Sequence, residues 1–306
     1  MTENPTISGL QLWEWSQQAK QDAIAVDISP TEVDRLLEEW AGLDRLSLRL
    51  RSYKQTPSVS LRLPWSELMQ LWKRRLQERV PLQYLTGVAN WRHFELMVSP
   101  AVLIPRPETE LMIDLVKALL QGQSQSLNAQ NTLKQGHWVD LGTGSGAIAL
   151  GLASVLTQAS IHAVDCSRDA IAIAQKNAQN LGFGDRIQFY QGSWWEPIDF
   201  LRGKVSAMIA NPPYIPTAML PTLQPEVTRH EPHLALDGGV SGLDCIQYLV
   251  KTAPTYLHSG GVWLVEMMAG QAEQVVEMLN TEGCYTQIEP IADLAGIERF
   301  VLAYRQ

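Results

Sequence analysis

Two hydrophobic periodicities divide the chain. Up to about residue 80, apolar side chains recur three to four positions apart, as on one face of a helix. Leu10, Leu12, Trp13, Ala19 and Ile24 follow Ser8 at roughly that spacing. Ser29-Pro30-Thr31-Glu32 is a helix start signal, with Ser29 as N-cap, Pro30 at the first helical position and Glu32 closing a capping box. Val33, Leu36, Leu37 and Trp40 then form an apolar face, and Gly42 supplies a stop. A short helix is expected over 44–52. Another runs from Pro64 through Val80, with Leu68, Leu71, Trp72 and Leu76 in its stripe, and Pro81 ends it. A Trp- and Leu-rich helical module of this size packs or recognises; it contains no catalytic constellation.

The pattern then shortens. Residues 87–98 alternate with partial period 2 and read as a β-hairpin. In Leu103-Ile104-Pro105-Arg106-Pro107-Glu108-Thr109-Glu110 the prolines hold Arg106 extended, and the acidic residues suit the first turn of a helix reaching about Leu120. Residues 121–136, rich in Gln, Ser and Asn, read as a loop or linker. From 137 onward strands and helices alternate. Strands are expected at 137–141, 161–165, 187–190, 205–210 and 262–266, with two more near 286–288 and 299–303. Helices are expected at 147–156, at 169–181 and from about Gln271. Such alternation builds a parallel sheet covered by helices on both faces.

Composition narrows the class. Hydrophobic content of 45% with 18% charged residues describes a globular chain. The longest apolar run, 147–156, is too short for a bilayer, so no membrane partner is expected. The first residues carry no basic region followed by an apolar stretch, so no signal peptide is expected. Three well-separated cysteines and six scattered histidines give neither a disulfide framework nor a metal spacing, which fits a reducing cytoplasm and no metal. The net charge of −8 implies no general affinity for nucleic acid. Its distribution is uneven: residues 1–44 carry 2 basic and 9 acidic side chains, residues 45–100 carry 10 basic and 3 acidic. The basic run around Lys73-Arg74-Arg75 and Arg79 reads as a solvated helix face or as a docking patch for an acidic protein or RNA.

Three features carry chemistry. Gly142-Thr143-Gly144-Ser145-Gly146 joins a strand to a helix, where glycines allow a tight turn and a close ligand. Asp165 ends the next strand, 19 residues after Gly146, where a carboxylate accepts hydrogen bonds from ribose hydroxyls. Together they indicate a nucleoside-containing cofactor without separating NAD from S-adenosylmethionine. The fourth strand separates them. It ends at Asn211-Pro212-Pro213-Tyr214, since two prolines cannot continue a ladder. Asn211 Oδ1 and a backbone carbonyl offer two acceptors, and Tyr214 a flat surface, for a planar NH2 group. Alone, the four residues are equally a Pro-rich turn after a strand. Beside a glycine turn they suit an amino-group methyltransferase better than a hydride-transfer enzyme.

The residues 140–146, Asp165 and Asn211-Pro212-Pro213-Tyr214 together resemble class I S-adenosylmethionine-dependent methyltransferases acting on planar nitrogen. The strings Pro81-Leu82-Gln83-Tyr84-Leu85-Thr86-Gly87 and 103–110 resemble, more narrowly, the peptide chain release factor glutamine N5-methyltransferases, the PrmC/HemK family. The likeness covers nearly the whole chain. It implies an α/β fold, a seven-stranded, mostly parallel Rossmann-like class I methyltransferase sheet. It also implies a helical N-terminal substrate-recognition domain over 1–80, a linking hairpin over 81–106 and the methyltransferase domain over 107–306. By resemblance, the residues 142–146 and Asp165 hold the methionine and ribose of S-adenosylmethionine, and Trp194 lies by the adenine. Ser193 stands where the family usually has an acidic residue. Asn211 also borders the cofactor, and with the Pro212 carbonyl it would hold the substrate amide, while Pro213 and Tyr214 shape the slot. The implied partner is a release factor, with no stable nucleic acid, and the implied enzyme is a cytoplasmic monomer. Two rivals share these residues: an adenine-N6 methyltransferase of DNA or RNA, and a non-catalytic release-factor-binding protein.

Overall fold

The computed structural model describes residues 4–121 and 132–306. It contains two compact units: Met1–Gly87 together with Gln224–His230, and Val88–Leu223 together with Glu231–Gln306. The loop expected at 121–136 lies for 122–131 outside the described residues, while 132–135 are helical.

The first unit is built from helices α1 (Gly9–Ala25), α2 (Thr31–Ala41), α3 (Arg45–Leu50), α4 (Trp65–Gln77) and α5 (Leu82–Thr86). Two two-residue strands, β1 (Thr6–Ile7) and β2 (Val59–Ser60), pair antiparallel and are too short to leave a periodicity. Ser8 caps α1 by accepting from the Gln11 amide. The buried face of α1 is Leu12, Ser16, Ala19 and Ala23, whereas Leu10 and Ile24, expected on that face, are exposed. Leu36, Trp40, Leu68 and Trp72 form the core where α2 meets α4.

The capping box at Ser29 does not form. Ser29 Oγ meets the Thr31 hydroxyl at 2.8 Å and the Thr31 amide at 3.4 Å, and caps no later amide of the turn. Glu32 is taken instead by Arg75, whose guanidinium grips both carboxylate oxygens at 2.6 and 2.8 Å. Arg75 is 4% exposed, and its remaining Nη1 donates to Glu226 at 2.8 Å. Arg79 also pairs with Glu226. A buried cation is costly unless its donors are matched, so a charge-assisted, two-pronged grip on Glu32 outcompetes a cap exposed to water. Half of the basic run is therefore internal rather than a free face. Helix α5 was also not expected. Pro81, read as a stop, sits at its N-cap, and Gly87 ends it in the left-handed region (φ 79°).

In the second unit, β3 (Val88–Trp91) and β4 (Phe94–Met97) form the expected hairpin. The main sheet has seven strands: β5 (His137–Leu141), β6 (Ser160–Asp165), β7 (Ile187–Gln191), β8 (Val205–Ala210), β9 (Leu257–Glu266), β10 (Tyr285–Ala292) and β11 (Glu298–Arg305). Their spatial order is β10-β11-β9-β8-β5-β6-β7. All neighbours are parallel except β11, which runs antiparallel to both β9 and β10. Helices α6 (Leu111–Gln121), α7 (Ala147–Val155), α8 (Arg168–Asn180), α9 (Asp244–Tyr256) and α10 (Ala272–Glu282) cover the two faces, each of which has its own apolar core. Residues 147–153 of α7 are all buried. Gly151 lets α7 approach Ile113 and Trp91, since a Cβ there would lie 2.6 Å from Ile113.

Because β5 pairs with β6 on one side and β8 on the other, the chain reverses direction across the sheet at β5. A crevice opens there, beyond the carboxyl ends of the strands, and such crevices bind ligands. The residues after β5, at the end of β6 and after β8 are the glycine turn, Asp165 and Asn211.

Candidate active site

The glycine turn starts from Asp140, wholly buried near the end of β5. Its Oδ2 accepts from the Thr143 hydroxyl at 2.5 Å and from the Ala149 amide at 3.0 Å. One carboxylate oxygen thus ties the turn to the first turn of α7. Oδ1 has no partner among the described residues. Burial pushes the Asp140 carboxyl up to about 7, with Asp165 adding to the shift and the two bonds opposing it. Gly142, Gly144 and Gly146 all have positive φ. A Cβ on Gly142 or Gly144 would meet nothing within 4 Å, so these two leave the turn open.

Asp165 Oδ2 accepts from the Gly144 amide at 2.9 Å and Oδ1 from the Ser167 amide at 2.8 Å. A carboxylate has about four acceptor positions, so beside these two amides and the Cys166 thiol it keeps room for a ligand. Burial raises the Asp165 carboxyl, and the two amides oppose it.

A cavity of about 520 Å³ lies over these groups. Of the residues expected at the site, Gly142, Gly144, Asp165, Trp194, Asn211 and Pro213 line it. Thr143, Ser145 and Gly146 are buried in the turn behind it, and Pro212 is buried too. The Tyr214 ring does not line the cavity. Its hydroxyl donates to Glu266 Oε1 at 3.1 Å, and burial beside that carboxylate raises it far above its ordinary value. Trp194 sits in the left-handed region (φ 48°), a costly setting for an aromatic residue that turns its ring to the cavity.

Other walls come from residues that no periodicity marked. Leu103 lines the cavity just ahead of Ile104 and Arg106, which are tied to buried Glu231. Leu234, Ala235, Asp237 and Cys245 close another side. Below the rim, Asn211 Nδ2 donates to Thr109 Oγ1 at 3.1 Å, and Thr109 Oγ1 donates to Glu266 Oε2 at 2.7 Å. Burial pushes the Glu266 carboxyl up to about 7 against the bonds from Thr109 and Tyr214 and the nearby Arg299. Among the described residues, Asn211 Oδ1 and the Pro212 carbonyl accept no bond.

A family model described as "Methyltransferase domain" matches residues 133–291. The release factor glutamine methyltransferase of Synechocystis sp. is 52% identical over 297 residues, 97% of each chain. That of Geobacter sulfurreducens is 36% identical, over 98% of each chain. The chain belongs to the release factor glutamine methyltransferase family. Its fold is the class I methyltransferase fold, and the methyl donor of that class is S-adenosylmethionine. Among solved structures, one titled "Crystal structure of hMettl16 catalytic domain in complex with MAT2A 3'UTR hairpin 6" matches with a TM-score of 0.52, covering 81% of this chain and 84% of that one. At 14% identity the likeness concerns the fold alone.

The residues present fit that cofactor. The cavity is of ligand size. Among the described residues it is lined by two carboxylates, Asp165 and Asp237, and by no lysine, arginine or histidine. Such a lining disfavours a pyrophosphate and suits a ligand with a cationic sulfur. Gly142 and Gly144, the two glycines of the turn that line the cavity, permit a close backbone approach.

Proposed function

We infer that this chain transfers a methyl group from S-adenosylmethionine to the side-chain amide nitrogen (N5) of a glutamine in a peptide chain release factor. The observation that carries the chemistry is the pair of unpartnered acceptors, Asn211 Oδ1 and the Pro212 carbonyl, just past the end of the strand beside the glycine turn. The near full-length likeness to curated relatives supports the substrate.

In this assignment Gly142 and Gly144 let the cofactor approach, Asp165 accepts its ribose hydroxyls, and Trp194 with Ser193 flanks its adenine. Thr143, Ser145 and Gly146 act indirectly, by holding the shape of the turn. When bound, S-adenosylmethionine supplies an electrophilic methyl group on a cationic sulfur. A glutamine amide nitrogen is a poor nucleophile, because its lone pair is delocalised into the carbonyl. Asn211 Oδ1 and the Pro212 carbonyl each accept one of its two hydrogens, which fixes the nitrogen and favours localising the lone pair. Pro213 shapes the slot, and Tyr214 supports it from outside the cavity through its bond to Glu266. Positioning of this kind is worth ~7–11 kcal/mol where orientation is good. The same two dipoles stabilise positive charge as it builds on nitrogen. The nitrogen then releases a proton, for which no side chain is required as an obligatory base.

The helical residues 1–80 are assigned to recognising the protein substrate. Among the described residues no helix is long and apolar enough to cross a membrane. A cytoplasmic monomer without stable nucleic-acid binding fits a substrate that works in translation termination. Labelled methyl transfer to purified release factors tests the assignment. Label should enter the factor and vanish when its acceptor glutamine is replaced. Label that survives the replacement would refute the substrate.

A further inference from the structure

We propose that Thr109 and Glu266 are positioning residues that fix which way round the Asn211 carboxamide stands. If Asn211 holds the substrate amide, as inferred above, its oxygen must face the substrate. A carboxamide is nearly isosteric on exchange of O and N. Turned over, it would present an NH2 to an NH2, donor against donor.

Thr109 alone does not decide the orientation. Its hydroxyl can accept from Asn211 Nδ2 or, rotated, donate to Asn211 Oδ1. Glu266 decides. An ionised carboxylate only accepts, so the contact of 2.7 Å commits the Thr109 hydrogen to Glu266 Oε2. Only lone pairs remain on Thr109 Oγ1 for Asn211, which must then turn Nδ2 inward at 3.1 Å and Oδ1 away. Tyr214 completes the arrangement by donating to Glu266 Oε1. Thr109 and Glu266 are both buried, so water does not compete for these bonds.

The direction of the chain depends on one proton. Protonated Glu266 can donate to Thr109, which frees the Thr109 hydrogen for Asn211 Oδ1 and removes the bias. The groups that act on Glu266 are Arg299 on β11, which favours the ionised form, and Glu108 in the turn before α6, which opposes it. Its hydrogen-bond partners Thr109 and Tyr214 also favour the carboxylate. Arg106 faces Tyr214 as well. Burial, the largest influence, outweighs the groups that favour the carboxylate and pushes Glu266 up to about 7.

The test uses the full chain, a release factor substrate and the variants Thr109→Val, Thr109→Ser, Glu266→Gln and Asn211→Ala. Thr109→Val keeps the side-chain volume and leaves a buried NH2 without an acceptor. Turnover at saturating substrate should fall about 10- to 100-fold, while S-adenosylmethionine affinity by calorimetry, which also reports the fold, stays within about threefold. Thr109→Ser should restore most of the turnover. The wild-type kcat should fall as pH drops through about 7, and Glu266→Gln should be slow and lack that limb. Wild-type turnover in Thr109→Val, or an unaltered acid limb in Glu266→Gln, would overturn the proposal. Asn211→Ala separates the two levels. If it is inactive while Thr109→Val and Glu266→Gln are unaffected, only the positioning role fails. If it too is active, the role of Asn211 itself fails.

Discussion

Asp140→Asn should stabilise the cofactor-free protein at pH 8 and not at pH 4. Asp140 is fully buried, and only one of its oxygens is bonded, to Thr143 and Ala149. Burial holds its folded pKa at about 7, against an ordinary value of 3.8. A carboxyl whose folded pKa is raised contributes its full stability below the unfolded value. That contribution is lost as pH rises through the folded one. The loss therefore spans about pH 4 to 7. A shift of about three pH units is worth on the order of 4 kcal/mol at most. Asparagine keeps an oxygen for Thr143 and Ala149 and never ionises. Its new NH2 replaces the unpartnered oxygen and carries a cost that does not vary with pH. The difference in Tm between variant and wild type should therefore climb across this window and level off above pH 7, by on the order of 10 °C. Scanning calorimetry from pH 4 to 8.5 measures it. The wild-type trend alone would not serve, because burial also raises Asp165, Glu231 and Glu266. A Tm difference that stays flat with pH would refute the account of Asp140 as a buried, half-bonded charge.

Asp165→Ala should weaken S-adenosylmethionine binding at least tenfold by calorimetry, whereas Asn211→Ala should abolish methyl transfer and leave that affinity within a few-fold. Equal loss of cofactor binding in both would sink the division of roles. Arg75→Leu leaves the Glu32 carboxylate without its partner inside the helical unit. It should cost about 3–5 kcal/mol, seen as a lower urea midpoint, and an unchanged midpoint would contradict the burial argument. Gly151→Ala drives a methyl group against Ile113 and should cost about 1–3 kcal/mol. Adding Ile113→Val should return part of that loss in Tm.

What the sequence made legible follows from locality. Strands β5, β6 and β8 are short apolar runs buried on both faces, and such runs announce themselves. The glycine turn, Asp165 and Asn211 lie at strand ends, where turn chemistry is local. The failures are long-range or turn on proline. Glu32 matched a local capping pattern, yet Arg75, 43 residues away, claims it. Pro81 looked like a stop and begins α5, because proline suits both ends of a connection between helices. Helix α9 went unread, with Pro254 inside it. Thr109 and Glu266 are 157 residues apart, and no spacing rule joins a threonine in an acidic turn to the last residue of a strand. The wall formed by Leu234, Ala235 and Asp237 comes from one short 3-10 turn and the residues after it, too short to leave a periodicity, and its chemistry depends on where the fold carries it.

The Arg75–Glu226 pair also imposes an order in time. A chain is made from its N-terminus, and Glu226 follows Arg75 by 151 residues. At about 5–20 residues per second, the wait is on the order of 10–30 s. During it, residues 1–87 can gather their helices and match Arg75 to Glu32, but their last carboxylate does not yet exist. The N-terminal unit is therefore first to emerge and not first to finish. It is completed only after β5, β6 and β8 of the catalytic sheet have been synthesised, so a nascent chain halted before Gln224 carries a guanidinium with half of its partners.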